Sequence, residues 1–536
     1  MYNYILMLLL GIITLVMTIP LASLYLSTIL IHRIAFLILL LSAVLSYNTL
    51  YVVPLSSGIG ILGGLFQTTL LSQSLEIFIL IIGSLILLIA PEGKNINTRS
   101  SSFNKENIKD PNKTTTLWSY WDNLSSNIKE VLPTTTSNKE QLKDYPLIIL
   151  FTTLGMTSLI SSSDLITMFL AIELQSFALY ILATMNRNSE SAVAAGLKYF
   201  LLGGLSSCFI LLGSTLIYSY TGLTNFESLN ILQSVIGQSF EGNSYNYLAI
   251  GCIILTIGLL FKIGAAPLHS WAPDVYDGVP TMVTTWLTIM PKLSILVFFI
   301  MNNFLIEPNL LMISALLSLL LGSITGLAQY KIKRLLAYST ISHVGLILLA
   351  LGNESINGLE STIFYIVQYS ITSLNIFLIL ILLGYTLSVN KTISVYSPIQ
   401  FISQLRGQFF NNPTLSIALA LSLFSMSGIP PLIGFFGKYF VINSALMNGN
   451  YFLSLVVIIT SVISTVYYLQ IVKTLFLPEN SSAELDNNSS LIRNNNLSPI
   501  LAFIVAILTL FIIFFMINPT PILNSIHLIA TCQYYF

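Results

Sequence analysis

The chain has 536 residues, of which 55% are hydrophobic and only 8% charged, with 21 basic and 21 acidic side chains in balance. A soluble domain carries roughly 25% charged residues, so a water-soluble fold is excluded and lipid is the solvent. Zero net charge gives no reason to expect a nucleic acid, and the three cysteines and four histidines show no metal, disulfide or haem spacing.

A membrane helix needs about 20 apolar residues. By that measure fourteen segments emerge, centred near residues 13, 43, 79, 153, 175, 206, 257, 292, 318, 342, 374, 428, 464 and 507. The first, MYNYILMLLLGIITLVMTIPLAS, lacks the positive n-region of a signal peptide and reads as an uncleaved membrane helix. The expected fold is an all-α polytopic membrane protein. Residues 1–90 hold three segments, and residues 91–145 form a polar loop rich in Asn, Thr, Ser and Lys. Two runs of five segments follow, over 146–303 and 304–476, and residues 477–536 carry a loop, the last segment and a tail.

Basic residues test this count. Seventeen of the twenty-one lie in loops after odd-numbered segments, including Arg33, Arg187, Lys331, Arg334, Arg406 and Lys473. Loops after even-numbered segments carry acids, such as Glu227, Glu307, Glu354 and Glu360. The positive-inside rule then turns the odd loops, and residues 91–145 with them, toward the cytoplasm or matrix and both termini toward the other side.

The four remaining lysines fall inside segments: Lys198 in the sixth, Lys262 in the seventh, Lys292 in the eighth and Lys438 in the twelfth. Glu173 lies midway along the fifth and His269 just beyond the seventh, whereas Glu76, early in the third, lies near an interface. A charge at the bilayer centre costs at least about 2.5–3.5 kcal/mol, and such residues mark ion or proton paths. The bland alternatives are isolated ion pairs or snorkelling. Neighbouring segments and similar depth suggest that Glu173 pairs with Lys198. Lysine suits proton work because burial disfavours its charged form and a carboxylate restores it. Histidine relays because it titrates near neutrality.

Prolines interrupt two segments. Pro267 follows Lys262 in the seventh, and Pro430 and Pro431 precede Lys438 in the twelfth. Each is expected to break its helix in mid-membrane and free carbonyls that hold water. The two breaks occupy the fourth place of each five-segment run. Five is odd, so the second run starts from the opposite face, which is the layout of inverted repeats with sites at the breaks. Lys262, His269, Lys292, His343 and Lys438 are expected to form one hydrated line across the bundle.

Five stretches carry a resemblance: DLITMFLAIELQSFALYIL from Asp164, GLKYFLLGGLSS from Gly196, FKIGAAPLHSWAPDVYDGVPT from Phe261, RLLAYSTISHVG from Arg334 and SMSGIPPLIGFFGKYF from Ser425. Together they resemble the antiporter-like membrane subunits of respiratory complex I, relatives of the multisubunit sodium/proton antiporters. The resemblance covers roughly residues 145 to 475, and the 91–145 loop lies outside its pattern. It implies a proton-translocating, non-redox subunit of NADH:ubiquinone oxidoreductase. It makes Glu173 and Lys198 the charged pair, Lys262, His269 and Lys292 the relay, His343 a neighbour of the central water chain and Lys438 the way out. No catalytic residue, metal or cofactor belongs to the chain itself. NADH, flavin (FMN), iron–sulfur clusters and ubiquinone are implied elsewhere in the complex. The implied partners are other membrane subunits of complex I and phospholipid.

Uninterrupted apolarity and richness in Ile, Asn, Tyr and Phe suit an AT-rich organelle gene. That points to the mitochondrial inner membrane with both termini on the intermembrane-space side, ahead of a bacterial plasma membrane. The competing functions are a stand-alone or multisubunit cation/proton antiporter and a scaffold that does not pump. The intact set of buried charges argues against the scaffold.

Overall fold

The computed structural model describes residues 3–21, 27–51, 58–88, 143–239, 243–388, 399–478 and 499–535. The loop expected over 91–145 lies almost wholly outside these residues. Three helices come first: α1 (Asn3–Leu21), α2 (Thr28–Thr49) and α3 (Leu70–Leu87). The next run is α4 (143–160), α5 (Leu165–Thr184), α6 (Glu190–Thr221), α7 (Phe226–Ser239), α8 (Asn243–Ile263), α9 (Trp271–Gly278) and α10 (Thr281–Met301). Then come α11 (Pro308–Leu327), α12 (Ile332–Leu351), α13 (Ile356–Ser388), α14 (Gln408–Asn411), α15 (Pro413–Ser427), α16 (Ile433–Met447) and α17 (Tyr451–Phe476), and last α18 (Pro499–Phe514) and α19 (Thr520–Tyr535).

Thirteen of the fourteen expected centres fall inside a helix, and the fourteenth, 428, falls in the gap between α15 and α16. Among the described residues ten helices are long and apolar enough to cross a membrane, and α8, α15 and α16, which flank the breaks, are among the shorter apolar ones. The chain is an all-α, multi-pass membrane protein.

Burial grades inward. Every residue from Val283 to Ile300 of α10 is buried, as befits a helix that is apolar on every face. α12 and α13 are nearly as enclosed, while α1 and α6 turn most of their surface outward. Small residues let α6 and α8 close up: a Cβ on Gly213 would come within 2.6 Å of the Leu255 amide, and one on Gly258 within 2.7 Å of Ile210. This packing holds the stem of α8, at whose end Lys262 sits.

Some elements escape a 20-residue ruler. α7, α9, α14 and α19 are too short or too polar to register. A hairpin of β1 (Ile59–Ile61) and β2 (Phe66–Thr68) turns through Gly63 and Gly64, both at positive φ, and ties α3 to the end of α4 through the Gln67 amide on the Ser161 carbonyl, 2.7 Å.

The two breaks share one device, and it is a glycine. α8 ends with Gly264 at φ +78°, and α15 ends with Gly428 at φ +86°. The amide after each glycine reaches back five residues, Ala265 to the Leu260 carbonyl and Ile429 to the Phe424 carbonyl, both at 3.1 Å. That is the Schellman closure of a helix C-terminus. Pro267 and Pro430–Pro431 lie in the non-helical segments beyond it, exposed at the chain surface. The expectation that the prolines themselves terminate the helices is corrected accordingly. The freed carbonyls also find protein donors: the Trp271 indole donates to Phe261 at 2.9 Å.

Candidate functional site

Glu173, midway along α5, faces the last turn of α8. Its Oε1 lies 3.6 Å from Lys262 Nζ, with the two side chains 16% and 9% exposed. Lys198 is elsewhere: on the outer flank of α6 it holds Asp274 of α9 at 2.5 Å and is 54% exposed. The expected Glu173–Lys198 pair is therefore not formed. Sequence neighbours α5 and α6 do pack together, but their charged residues point to different partners. The break after α8 brings α9 under Lys198 and leaves Lys262 as the cation nearest Glu173.

Asp274 belongs to an ion cluster that the sequence reading passed over. Asp274 and Asp277, three apart on α9, meet Lys331 and Arg334, three apart at the start of α12, and residues so spaced share one helix face. Lys331 bonds Asp277 at 2.7 Å, and Arg334 bonds Asp274 and approaches Asp277 at 3.9 Å. Burial would push the Asp274 carboxyl up, but the Lys198 and Arg334 donors and their charges outweigh it and hold it below its ordinary value. Lys333, expected in a loop, is buried and donates to the Val279 carbonyl at 2.7 Å. The matching i, i+3 spacing in PDVYD and KIKR was the available signal.

Lys292 is 2% exposed in the all-buried α10. Its Nζ donates to Thr340 Oγ1 of α12 at 2.9 Å and lies 5.5 Å from the centre of the Tyr276 ring. One turn on from Thr340, His343 bonds the Tyr365 hydroxyl of α13 at 2.6 Å through Nδ1 and the Tyr468 hydroxyl of α17 at 3.0 Å through Nε2. Tyr365 in turn packs on Gly437, where a Cβ would meet its ring at 3.2 Å. The next residue is Lys438, 8% exposed, whose Nζ donates to the Ser427 carbonyl at the end of α15, 2.7 Å.

Lys292, Thr340, His343, Tyr365 and Lys438 thus form a polar row across α10, α12, α13 and α16. Lys262 and Glu173 form a separate, largely buried pair on α8 and α5. His269 is half-buried in the turn after Gly264, its Nδ1 3.3 Å from the Pro267 carbonyl and its ring 6.4 Å from that of Tyr338. It contacts none of the lysines directly. Thr340, Tyr365 and Tyr468 carry no charge, so a search for buried charges missed them. Among the described residues no group of three or more His, Cys, Asp and Glu could hold a metal ion.

The family model described as NADH:quinone oxidoreductase/Mrp antiporter, transmembrane, matches residues 162–464, which hold all of these groups except Tyr468. NADH-ubiquinone oxidoreductase chain 2 of Rhizopus oryzae is 50% identical, the match covering 99% of this chain and 100% of that protein. A chain of respiratory complex I from Thermus thermophilus superposes with a TM-score of 0.71 at 24% identity, over 98% of this chain and 99% of its own. A chain of the Mrp complex of a Dietzia species superposes at 0.74 with 18% identity, over 99% and 97%. These two likenesses are of fold.

Proposed function

The chain belongs to the NADH:quinone oxidoreductase/Mrp antiporter family, and from that premise we propose that it is the antiporter-like, proton-translocating membrane subunit of an NADH:ubiquinone oxidoreductase, joined to the other membrane subunits of that complex. Glu173 and Lys262 form its switchable end, and Lys292, His343 and Lys438 carry the proton onward. The single observation behind this is the Glu173–Lys262 contact beside a helix break, in one buried interior with ionisable groups that bond hydroxyls, Lys292 to Thr340 and His343 to Tyr365. An ammonium that loses its carboxylate in a dry interior carries a penalty of several kcal/mol, so displacing Glu173 drives a proton away from Lys262. Thr340 and Tyr365 are donors and acceptors at which it can step between charged sites. Lys198, in the exposed Asp274 cluster, anchors α9 and holds the lower half of the broken helix rather than exchanging protons with Glu173. NADH, flavin, iron–sulfur and ubiquinone chemistry belongs to other subunits. A cation/proton antiporter subunit shares this fold, and fold does not set function; the full-length 50% identity favours the oxidoreductase.

The membrane is the mitochondrial inner membrane, with both termini on the intermembrane-space side. Basic residues at Arg187, Lys331, Arg406 and Lys473 all lie at the face where odd-numbered crossings end. Protease added to mitoplasts leaves residues 91–145 uncut if this orientation holds. For the function, Lys262→Met and Lys292→Met are each expected to abolish NADH-driven proton uptake per assembled complex. Wild-type pumping in both would remove the reading.

A further inference from the structure

The family match ends at residue 464, and α19 lies beyond it. α19 runs along the face where even-numbered crossings end and packs on both α13 and α3. His527 of α19 bonds Glu360, in the second turn of α13, through Nδ1 at 2.5 Å, with side chains 62% and 30% exposed. The pair sits in a cavity of about 290 Å³ between α13, α16 and α19, lined also by Ser361, Asn357, Asn443 and Asn524. Among the described residues, Glu360 and His527 are its only titratable lining groups. The cavity is large enough for several waters; Phe364, Phe440, Leu523 and Ile526 line it as well, and its polar side chains are the partners such waters need.

The cavity adjoins a second polar cluster. Ser361 Oγ lies 3.3 Å from Ser444 Oγ of α16, and Ser444 also accepts from Asn353 at 3.2 Å. Ser444 is on the buried face of α16, as is Lys438. Six residues separate them, about 9 Å along a helix. α16 runs from the mid-membrane break to the even face, and the residues it gives to the cavity, Phe440 and Asn443, lie between Lys438 and Ser444 along it.

We propose that this cavity is the outer mouth of the proton route from Lys438, and that α19 completes it by supplying His527 as the partner of Glu360 at the release point. The proposal rests on the function given above. A carboxylate and an imidazole in hydrogen-bond contact can accept a proton arriving from within and pass it to bulk water. Ser361 and Ser444 offer hydroxyls beside that pair. No covalent bond changes in this step: a proton leaves Lys438, is held by the Glu360–His527 pair, and goes to water.

The test uses the whole complex in sealed vesicles, with turnover and proton movement normalised to assembled complex. Glu360→Gln, His527→Asn and the double variant change exposed or half-exposed side chains, so folding is not at stake in the single variants. General acid–base groups contribute roughly 10²-fold or more to proton transfer, so the double variant is expected to slow coupled turnover at least about tenfold, and each single variant less. Imidazole buffer on the even-face side is expected to restore the His527→Asn variant, which a loss of packing would not allow. Unchanged turnover and proton yield in the double variant, or a loss that imidazole leaves untouched, overturns the proposal. Lys438→Met in the same vesicles separates the two ideas. If it stops pumping while the cavity variants do not, the mouth is elsewhere and the function stands; if it too pumps normally, the route through Lys438 is itself wrong.

Discussion

Replacing Glu173 by Gln tests the pairing most directly. At 3.6 Å and an effective dielectric of about 20, two unit charges attract by about 4–5 kcal/mol. Both side chains are less than a fifth exposed, so solvent screens little of this. Removing one member of a buried pair costs about 3–5 kcal/mol, and at 1.4 kcal/mol per tenfold that is roughly two to three and a half orders of magnitude in the occupancy of the paired state. Glu173→Gln is therefore expected to cut coupled turnover by at least about a hundredfold, to nearly the level of Lys262→Met. The double variant is expected to be no worse than Lys262→Met alone, because both remove one interaction. Lys198→Met breaks an exposed pair worth about 1 kcal/mol or less and is expected to lower turnover a few-fold, adding independently to Glu173→Gln. The assay is NADH:ubiquinone activity with proton uptake in vesicles, per assembled complex. If Glu173→Gln and Lys198→Met prove non-additive while Glu173→Gln and Lys262→Met add independently, the geometry argued from the structure is wrong.

Three further outcomes follow from the same contacts. Gly428→Ala forces a Cβ to φ +86° and to 2.8 Å from Lys438 Cδ; the left-handed conformation alone costs about 1–2 kcal/mol, so melting temperature and pumping are expected to fall together, whereas Gly449→Ala, also left-handed but with nothing within 4 Å of its Cβ, is expected to cost stability only. His343→Phe leaves the Tyr365 and Tyr468 hydroxyls without their buried partner, about 1–3 kcal/mol each, and is expected to lower the melting temperature and slow pumping; an unchanged melting temperature would mean those hydrogen bonds are not made. Asp274 is held below its ordinary value of 3.8, so its cluster contributes stability above that pH and loses it as pH falls through the lowered value. Lys198→Met is expected to move the onset of acid unfolding to higher pH, which a pH series of melting temperatures reads.

What was legible in the chain was what a length of apolar sequence fixes by itself. Helix centres at 79, 175 or 292 needed only the bilayer's thickness. Lys262, Lys292 and Lys438 stood out because charge in hydrocarbon is costly. Partner choice was not legible, because it depends on how far α9 swings back after the break, and the Glu173–Lys198 reading assumed that adjacent helices share partners. The prolines drew notice as helix breakers, although Gly264 and Gly428 were equally visible and end the helices. Lys333 looked like one more basic loop residue; only the packing of α12 against the Val279 carbonyl reveals it as buried. α19 was invisible to a membrane ruler because its 16 residues are too few and are broken up by Asn, Ser, His, Thr and Gln, and it is the element that carries His527.

The two glycine-closed breaks leave helix carbonyl ends inside the bundle, and a helix C-terminus carries roughly half a negative charge. Lys438 rests on such an end, bonded to Ser427, and Lys262 lies in the last turn of another. That half-charge is built from peptide groups. It can be neither protonated nor displaced without unwinding the helix, so it is a constant bias. Only Lys262 has, in addition, a counter-ion mounted on a separate helix. The two lysines therefore differ in kind: one is governed by a movable carboxylate, the other by a permanent field. A device with one adjustable and one fixed well has a preferred direction, set before any energy arrives from outside.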